Sequence, residues 1–208
     1  MASPSASSES QAPVAGQDLE NTRSIQLMLR VKEGDAEAFE SLIEIHQHAV
    51  VGTVAKMLGN PSDAEDIAQQ VFLRVWKSAR RYEPKAKFTT WLFTITRNLV
   101  FNETRRRQRR GPHSSLDQRL EESQWEEADH RTKTPDRATL DSELFDAIDA
   151  SIQALPEKQR LAVILRRYEE MPYEQIASIL KTSVSSVKSL LFRARTTLKE
   201  ELARYLEG

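Results

Sequence analysis

Cysteine is missing from the 208-residue sequence, and glycine is scarce, with six residues that form no cluster. Without cysteine there can be no disulfide, no thiol nucleophile and no thiolate zinc site, and a reducing, cytoplasmic location is expected. Scattered glycines exclude a glycine-rich phosphate loop. No apolar run reaches the roughly 18 residues that a membrane-spanning helix needs, so no membrane insertion is expected. Alternating strand patterns are also missing, and the periodic segments have helical spacing, which predicts an all-α protein.

Residues that could support catalysis are equally sparse. His46 and His48 are two positions apart on a predicted helix, hence on different faces, and no carboxylate pattern completes a metal site. The acidic residues of 117–149 lack partners that would fix their geometry. We therefore expect no catalytic residue, no metal and no cofactor.

The formal net charge of −1 conceals an uneven layout. Residues 97–110 hold six arginines against the single acid Glu103, and residues 181–199 hold five cations and no acid. Between these two basic segments, residues 117–149 contain eleven acids. Clustered cations are the electrostatic signature of nucleic-acid binding, so the layout indicates two DNA-facing modules.

The first half of the chain predicts a tail followed by a helical module. Residues 1–21 are rich in Ser, Ala and Pro and lack the charged start and apolar stretch of a secretory signal. We interpret them as a disordered tail. Residues 22–110 form the helical module, in which Asp35 is the expected N-cap of a helix that reaches about Leu58 and ends at residues 59–61.

A capping-box spacing, Ser62 to Glu65, predicts the start of the next helix. Its buried positions follow one apolar stripe: Ile67, Ala68, Val71, Phe72, Val75 and Trp76. The opposite face is polar: Glu65, Asp66, Gln69, Gln70 and Arg74. A further helix is expected from about Thr90 to Gln108.

The second half begins with a polar, acidic linker, residues 111–138, which is expected to be flexible. Residues 139–208 form a second small helical domain. Its last part, a short helix over Tyr173–Leu180, a tight connection at residues 181–183 and a longer helix from Val184 to about Leu206, is spaced like a helix-turn-helix.

The outer face of that last helix carries chemistry suited to duplex DNA. Hydroxyls near a helix N-terminus meet phosphates, cations reach phosphates or major-groove acceptors, and a ring can touch a thymine methyl. The candidates are Ser185, Ser186, Lys188, Ser189, Phe192, Arg193 and Arg195. Two ordinary packed helices with a solvated basic face are the alternative.

The segment FTTWLFTITRNLVFNETRRRQRR, residues 88–110, combines rings, hydroxyls and arginines. Single-stranded DNA requires this combination, because bases stack on rings while polar groups and cations meet base edges and phosphates. The candidates are Thr89, Thr90, Arg97, Asn98, Phe101, Asn102, Arg105 and Arg106. Trp91 and Leu92 fit a core role better, and Arg109 and Arg110 fit a solvated face or a nonspecific phosphate anchor.

Four blocks in this order resemble a bacterial RNA polymerase sigma factor of the extracytoplasmic-function (ECF) type. They are DAEDIAQQVFLRVWKSARRY, the segment just quoted, LPEKQRLAVILRRYEEMPYEQIASIL and SVSSVKSLLFRARTTLKEEL, with an acidic linker after the second. The resemblance covers about residues 35–206. It implies two domains, region 2 over residues 22–110 and region 4 over residues 139–208.

The resemblance also implies partners and roles for the candidate residues. The helix around residues 66–76 would dock on core RNA polymerase through Asp66, Gln69, Gln70, Phe72 and Arg74, although the family more often has a glutamate where Gln70 stands. Residues 88–107 would melt the promoter and capture single-stranded minus-ten bases, and the last helix would read the minus-thirty-five duplex. Leu190 stands where an arginine is common. An anti-sigma factor is a further expected partner.

Two other readings stay open at this point. A stand-alone helix-turn-helix regulator with an N-terminal sensing domain explains the second half equally well, but gives no role to the face at residues 66–76 or to the helix that combines arginines and rings. An RNA-binding adaptor would bind single-stranded RNA without polymerase, and the helix-turn-helix disfavours it.

Overall fold

The computed structural model describes residues 12–110 and 147–207, and within these ranges the chain forms helices and turns without any strand. Residues 12–110 are termed the first unit and residues 147–207 the second unit. The all-α prediction is confirmed. The linker residues 111–138 and the start of the second module lie outside the described residues.

Eight α-helices and one 3₁₀ turn run through the described ranges. The first unit contains α1 (Ala12–Lys32), α2 (Ala36–Leu58), α3 (Pro61–Ser78), the 3₁₀ turn Ala79–Arg81 and α4 (Phe88–Arg110). The second unit contains α5 (147–154), α6 (Glu157–Arg167), α7 (Tyr173–Leu180) and α8 (Val184–Glu207).

Apolar side chains spaced three and four apart build the core of the first unit. Met28 of α1, Leu42 and Val54 of α2, Val71 of α3 and Leu92 of α4 are each almost fully buried. Burial of one such side chain stabilises the fold by about 1.5–3 kcal/mol. The four helices therefore pack as one bundle that fixes the direction of α3 and α4.

The ends of α2 are those that the sequence predicts. The Asp35 side chain accepts a hydrogen bond from Ala38 N at 3.0 Å, which caps the helix start. Gly59 ends α2 with a φ of 70°, a left-handed conformation that glycine adopts without a side-chain clash.

The predicted capping box at Ser62 and Glu65 is wrong, because α3 begins two residues earlier than a Ser62 cap implies. Asn60 is the N-cap, and its Oδ1 accepts from Ser62 N at 2.8 Å and from Asp63 N at 3.3 Å. Pro61 occupies the first helical position, where its missing N–H costs no hydrogen bond. The cap is therefore an amide two residues before the predicted hydroxyl.

Three further expectations differ from the structure. Helix α1 begins at Ala12, so residues 12–21 of the predicted tail are helical. Helix α4 begins at Phe88, two residues before the predicted start. Trp76, placed in the predicted core stripe, is 38% exposed and packs against the Phe39 ring, with centroids 5.0 Å apart.

The second unit contains the predicted helix-turn-helix. Ile176 and Leu180 of α7 pack with Val187 of α8, and all three are buried. Lys181, with a φ of 53°, turns the chain between the two helices, and Thr182 N donates to Ala177 O at 2.9 Å. The bounds of α7 and the start of α8 agree with the sequence prediction.

The two units contact each other at the carboxyl end of α2 and along α4. Arg160 of α6 donates to Met57 O at 2.6 Å and to Leu155 O at 3.1 Å, so one guanidinium joins the ends of α2 and α5. Thr53 donates to Glu169 at 3.2 Å, and α4 packs against α7. Among the helices described, none combines the length and apolar character needed to cross a bilayer.

Candidate nucleic-acid and partner-binding surfaces

One face of α3 presents polar side chains to solvent. Asp66, Gln69, Gln70 and Arg74 are exposed, and Leu73 and Trp76 beside them are 51% and 38% exposed. The predicted polymerase-binding residues thus lie together on one helix face. Phe72 is different, because it is only 8% exposed and belongs to the core.

A groove of about 590 Å³ runs between α2 and α3 beside this face. Its walls are mostly apolar, with Phe39, Ile43 and Val51 from α2 opposite Phe72 and Leu73 from α3. Phe72 therefore shapes the groove wall rather than standing out from the surface. A face of polar groups beside exposed apolar area suits the docking of another protein.

Helix α4 carries a second exposed stripe. Asn98, Asn102, Arg105 and Arg106 are exposed, and their spacing places them on one side of the helix. The Arg97 guanidinium lies 5.8 Å from the Phe101 ring centroid and donates to the Asn98 side chain. Burial, together with the charge of Arg105, lowers the pKa of Arg97.

The remaining predicted residues of α4 are partly or fully covered. Thr90 and Phe101 are buried, at 6% and 7% exposed, and Thr89 is half-buried. The Thr90 Oγ1 atom has no hydrogen-bond partner among the described residues. Of the predicted set, Asn98, Asn102, Arg105 and Arg106 therefore lie together at the surface, whereas the Phe101 ring is buried.

Glu103 forms ion pairs with two of the arginines near the end of α4. It forms an ion pair with Arg106 at 2.7 Å and with Arg107 at 3.1 Å, and Arg107 also pairs with Asp63 of α3. Hydrogen bonds from Arg106 and Arg107 lower the pKa of the Glu103 carboxyl. Arg106 and Arg107 are thus held in place along the helix.

The beginning of α4 faces the second unit. A cavity of about 200 Å³ lies between Thr89 and Phe93 of α4 and the turn that leads into α7, where Met171 and Pro172 form the opposite wall. Glu169 borders the same cavity, and burial raises the pKa of its carboxyl. The first turn of α4 therefore lies at the junction of the two units.

Hydroxyl groups gather at the start of α8. Ser183 Oγ accepts from Ser186 N at 3.2 Å and lies 2.9 Å from the hydroxyls of both Ser185 and Ser186. Ser189 donates to Ser185 O at 3.1 Å. Ser183 is the capping residue here, and the sequence prediction had placed it only in the connection.

The outer face of α8 is open to solvent. Lys188, Ser189, Arg193 and Arg195 are exposed, and Phe192 is 72% exposed. Ser185 is exposed as well, while Ser186 is half-buried. All seven predicted residues of this helix therefore lie on or at the edge of one surface, with an exposed ring among the cations.

Two further residues bear on this surface. Leu190 is half-buried and packs against the core, so the residue at this position does not extend the cationic face. Lys158 of α6 lines the same shallow cavity as Ser185, Ser189 and Arg193 and adds a cation that the sequence did not place there. Lys158 lies 27 positions before Ser185 in the sequence, so helical spacing could not connect the two.

Two family models match the chain, one on each unit. The model described as Sigma-70 region 2 matches residues 42–110, and that described as Sigma-70, region 4 matches residues 145–198. The two units therefore carry the two regions of a sigma-70-type transcription initiation factor.

Curated relatives define the subclass. The RNA polymerase sigma-H factor of Pseudomonas aeruginosa is 34% identical over 85% of this chain and 92% of its own length. The ECF RNA polymerase sigma-E factor of Escherichia coli strain K12 is 31% identical over 85% and 92%. ECF sigma factor SigW of Bacillus subtilis is 30% identical over 83% and 93%. The chain belongs to the ECF RNA polymerase sigma factors, which confirms the resemblance seen in the sequence.

Solved structures share the fold. CnrH, in complex with the cytosolic domain of CnrY, superposes with a TM-score of 0.63 at 20% identity, over 88% of this chain and 98% of that one. The sigma factor RpoE of Bartonella quintana, in complex with the anti-sigma factor NepR, gives a TM-score of 0.60 at 23% identity, over 81% and 98%.

Proposed function

We propose that this sigma factor binds bacterial core RNA polymerase through the exposed face of α3, captures single-stranded minus-ten bases on α4 and reads the minus-thirty-five duplex with α8. The observation that carries the proposal is the separation of three exposed surfaces onto three helices. Each surface has its own chemistry: uncharged amides beside one acid and one arginine on α3, amides and arginines on α4, hydroxyls, cations and a ring on α8.

Base capture on α4 accounts for promoter melting without a nucleotide cofactor. Unstacking a base costs a few kcal/mol, and contacts to the exposed base offset that cost. Asn98 and Asn102 supply donors and acceptors for base edges, and Arg105 and Arg106 supply phosphate contacts. Contact of Thr90 or Phe101 with a base requires that their surroundings on α4 rearrange, because both are buried.

The division of labour follows the domain order. Residues 22–110 act as region 2 and residues 139–208 as region 4, joined by the acidic linker 111–138. Two DNA surfaces on one chain raise each other's effective concentration at the promoter, so modest individual affinities suffice.

The remaining expectations concern partners, activity and location. The two similar structures are complexes with the cytosolic domain of CnrY and with the anti-sigma factor NepR, which supports an anti-sigma factor as a partner of this chain. The chain acts as the specificity subunit of a polymerase in the cytoplasm and has no catalytic activity of its own.

In vitro transcription tests the proposal directly. A library with randomised minus-ten and minus-thirty-five elements is transcribed by core polymerase with the full chain, and the promoters recovered are sequenced. Asn98→Ala is expected to slow open-complex formation on a recovered promoter while closed-complex affinity stays unchanged. Gln108→Ala, which removes an exposed amide from the other end of α4, is the matched control.

Two outcomes would contradict the proposal. Recovery of no promoter above the background of core polymerase alone would refute sigma activity. Equal rates of open-complex formation for the wild type and Asn98→Ala would contradict base capture by α4.

A further inference from the structure

Helix α1 carries a polar stripe that is directed at the beginning of α4. Asp18, Asn21 and Ser24 are spaced three apart and so lie on one face of α1. Asn21 contacts Phe88, the first residue of α4, and Asp18 contacts Lys87, the residue before it. Ser24 contacts His46, whose ring packs against Phe88. These contacts join positions that are at least 22 residues apart in the chain.

Asn21 makes the central contact. Its Oδ1 accepts a hydrogen bond from Phe88 N, the first amide of α4, at 2.8 Å. The first amides of a helix have no intrahelical acceptor, so they depend on a side chain or water. For α4 a residue of another helix supplies that acceptor, 67 positions away.

The other two residues of the stripe secure the same point. Asp18 forms an ion pair with Lys87 at 3.1 Å, immediately before α4. Ser24 lies 2.9 Å from His46 Nε2, and the His46 ring packs against Phe88 with centroids 5.0 Å apart. The first residue of α4 is thus held by its amide and by its ring.

Helix α1 also holds the opposite end of the loop that precedes α4. Lys32 donates to Tyr82 O at 3.2 Å, so contacts from α1 bracket the segment from Tyr82 to Phe88. Thr89 and Thr90, the first predicted minus-ten residues, follow directly. Contacts from α1 therefore hold both ends of the loop that leads into these residues.

We propose that Asn21 is a positioning residue for base capture: by capping α4 at Phe88 it fixes the direction of the helix whose exposed stripe, Asn98, Asn102, Arg105 and Arg106, receives the melted minus-ten bases. This proposal rests on the proposed function of α4. Asn21 lies outside residues 42–110, the part of the chain that the region 2 family model matches.

The test compares full-length variants in complex with core polymerase on one promoter recovered with the wild-type chain. The promoter carries 2-aminopurine in the minus-ten element, whose fluorescence rises as the base unstacks. Asn21→Ala removes the acceptor. Asn21→Asp keeps an oxygen at the same place. Thr22→Ala, which removes an exposed hydroxyl bonded only within α1, is the control.

Asn21→Ala is expected to slow the unstacking step about fivefold, the factor typical for loss of a helix cap. Asn21→Asp and Thr22→Ala are expected to unstack the bases at the wild-type rate. Polymerase affinity and closed-complex affinity should be equal in all four proteins, which separates positioning from a general loss of structure.

Asp18→Ala supplies a second test at an exposed position, where a substitution is expected to change the free energy of unfolding little. Loss of the Lys87 ion pair should slow unstacking by up to about threefold.

Wild-type rates in both Asn21→Ala and Asp18→Ala would overturn the proposal, and so would an Asn21→Asp protein as slow as Asn21→Ala. If the wild-type chain itself fails to unstack the bases, the proposed function of α4 fails instead.

Discussion

His46 lies beneath the start of α4, between Ser24 and the Phe88 ring. Its burial lowers the pKa of the imidazole from 6.5 to about 4, so the ring is neutral in the folded protein at neutral pH. The unfolded chain binds a proton at higher pH than the folded chain does. The contribution of neutral His46 to the free energy of unfolding is therefore fully present above pH 6.5 and falls as the pH drops from 6.5 towards 4.

Replacement of His46 should flatten this pH dependence. Between pH 6.5 and pH 5 the free energy of unfolding of the wild type should fall by about 2 kcal/mol more than that of His46→Gln. Urea unfolding at both pH values measures the difference. Glu157 and Glu169, whose pKa values are raised by burial, titrate with the opposite sign but are common to both proteins.

His48→Gln is the control, because His48 is exposed two residues further along α2. A pH dependence that is the same in wild type and His46→Gln would show that His46 is not held neutral by the fold.

Lys158 and Arg193 border one cavity from two different helices. Each substitution to alanine should weaken binding to a minus-thirty-five duplex and reduce the slope of log affinity against log salt by about one, if each meets one phosphate. Arg167→Ala, at an exposed position near the other end of α6, should leave the slope unchanged. Equal slopes for Lys158→Ala and wild type would remove Lys158 from the DNA surface.

Single residues also show what the sequence could not predict. The spacing of Asp66, Gln69 and Arg74 placed them on one face of α3 because helical periodicity is local. The burial of Phe101 within a stripe of DNA candidates depends on neighbouring helices, and no local pattern encodes it. The position of Lys158 beside α8 was not predicted for the same reason, since it depends on how two helices pack.

At the scale of helices, the start of α4 depends on a distant residue. The local sequence favours a start at Thr90, whereas the Asn21 side chain caps the helix at Phe88. The same region shows why the prediction of a tail is wrong over residues 12–21: their composition is that of a disordered segment, but Asn21 has a partner on α4, and Asp18 has one in Lys87, immediately before it. By contrast, the turns that bound α7 directly precede and follow it in the sequence, and its bounds were predicted.

The start of α3 gives a prediction at this scale. Asn60→Ala should lower the free energy of unfolding by about 1 kcal/mol, because Ser62 N and Asp63 N lose their acceptor. Ser62→Ala should change it by much less, since the Asn60 side chain would still cap α3. Urea unfolding compares the two. A larger loss for Ser62→Ala would restore the capping box that the sequence suggested.

At the scale of the whole molecule, one guanidinium joins the two units. Arg160→Ala leaves Met57 O and Leu155 O without this donor, and the free energy of unfolding should fall by about 1–3 kcal/mol. Arg166→Ala, on the same helix, removes a hydrogen bond to Met171 O within the second unit and should cost less, because Arg166 is exposed. Equal losses in urea unfolding would show that Arg160 does not join the units.

Under the proposed function, the arrangement of the three surfaces links the fold to transcription. In this structure the α3 and α8 faces are open, while the first turn of α4 lies against the second unit. The sequence predicted the two domains and the three helices that carry the surfaces. It did not predict the contact between the units, because that contact is made by Arg160, Thr53 and Glu169, which no repeat or motif connects.

Capture of purified core RNA polymerase by the full chain tests the central claim most directly. The wild type should retain polymerase stoichiometrically, and Asp66→Ala with Gln69→Ala should lose most of it. Glu37→Ala with Glu44→Ala, two exposed acids of α2, should bind as the wild type does. Failure of the wild type to retain polymerase, or equal capture by the α3 variant, would contradict the assignment of α3 as the polymerase-binding surface.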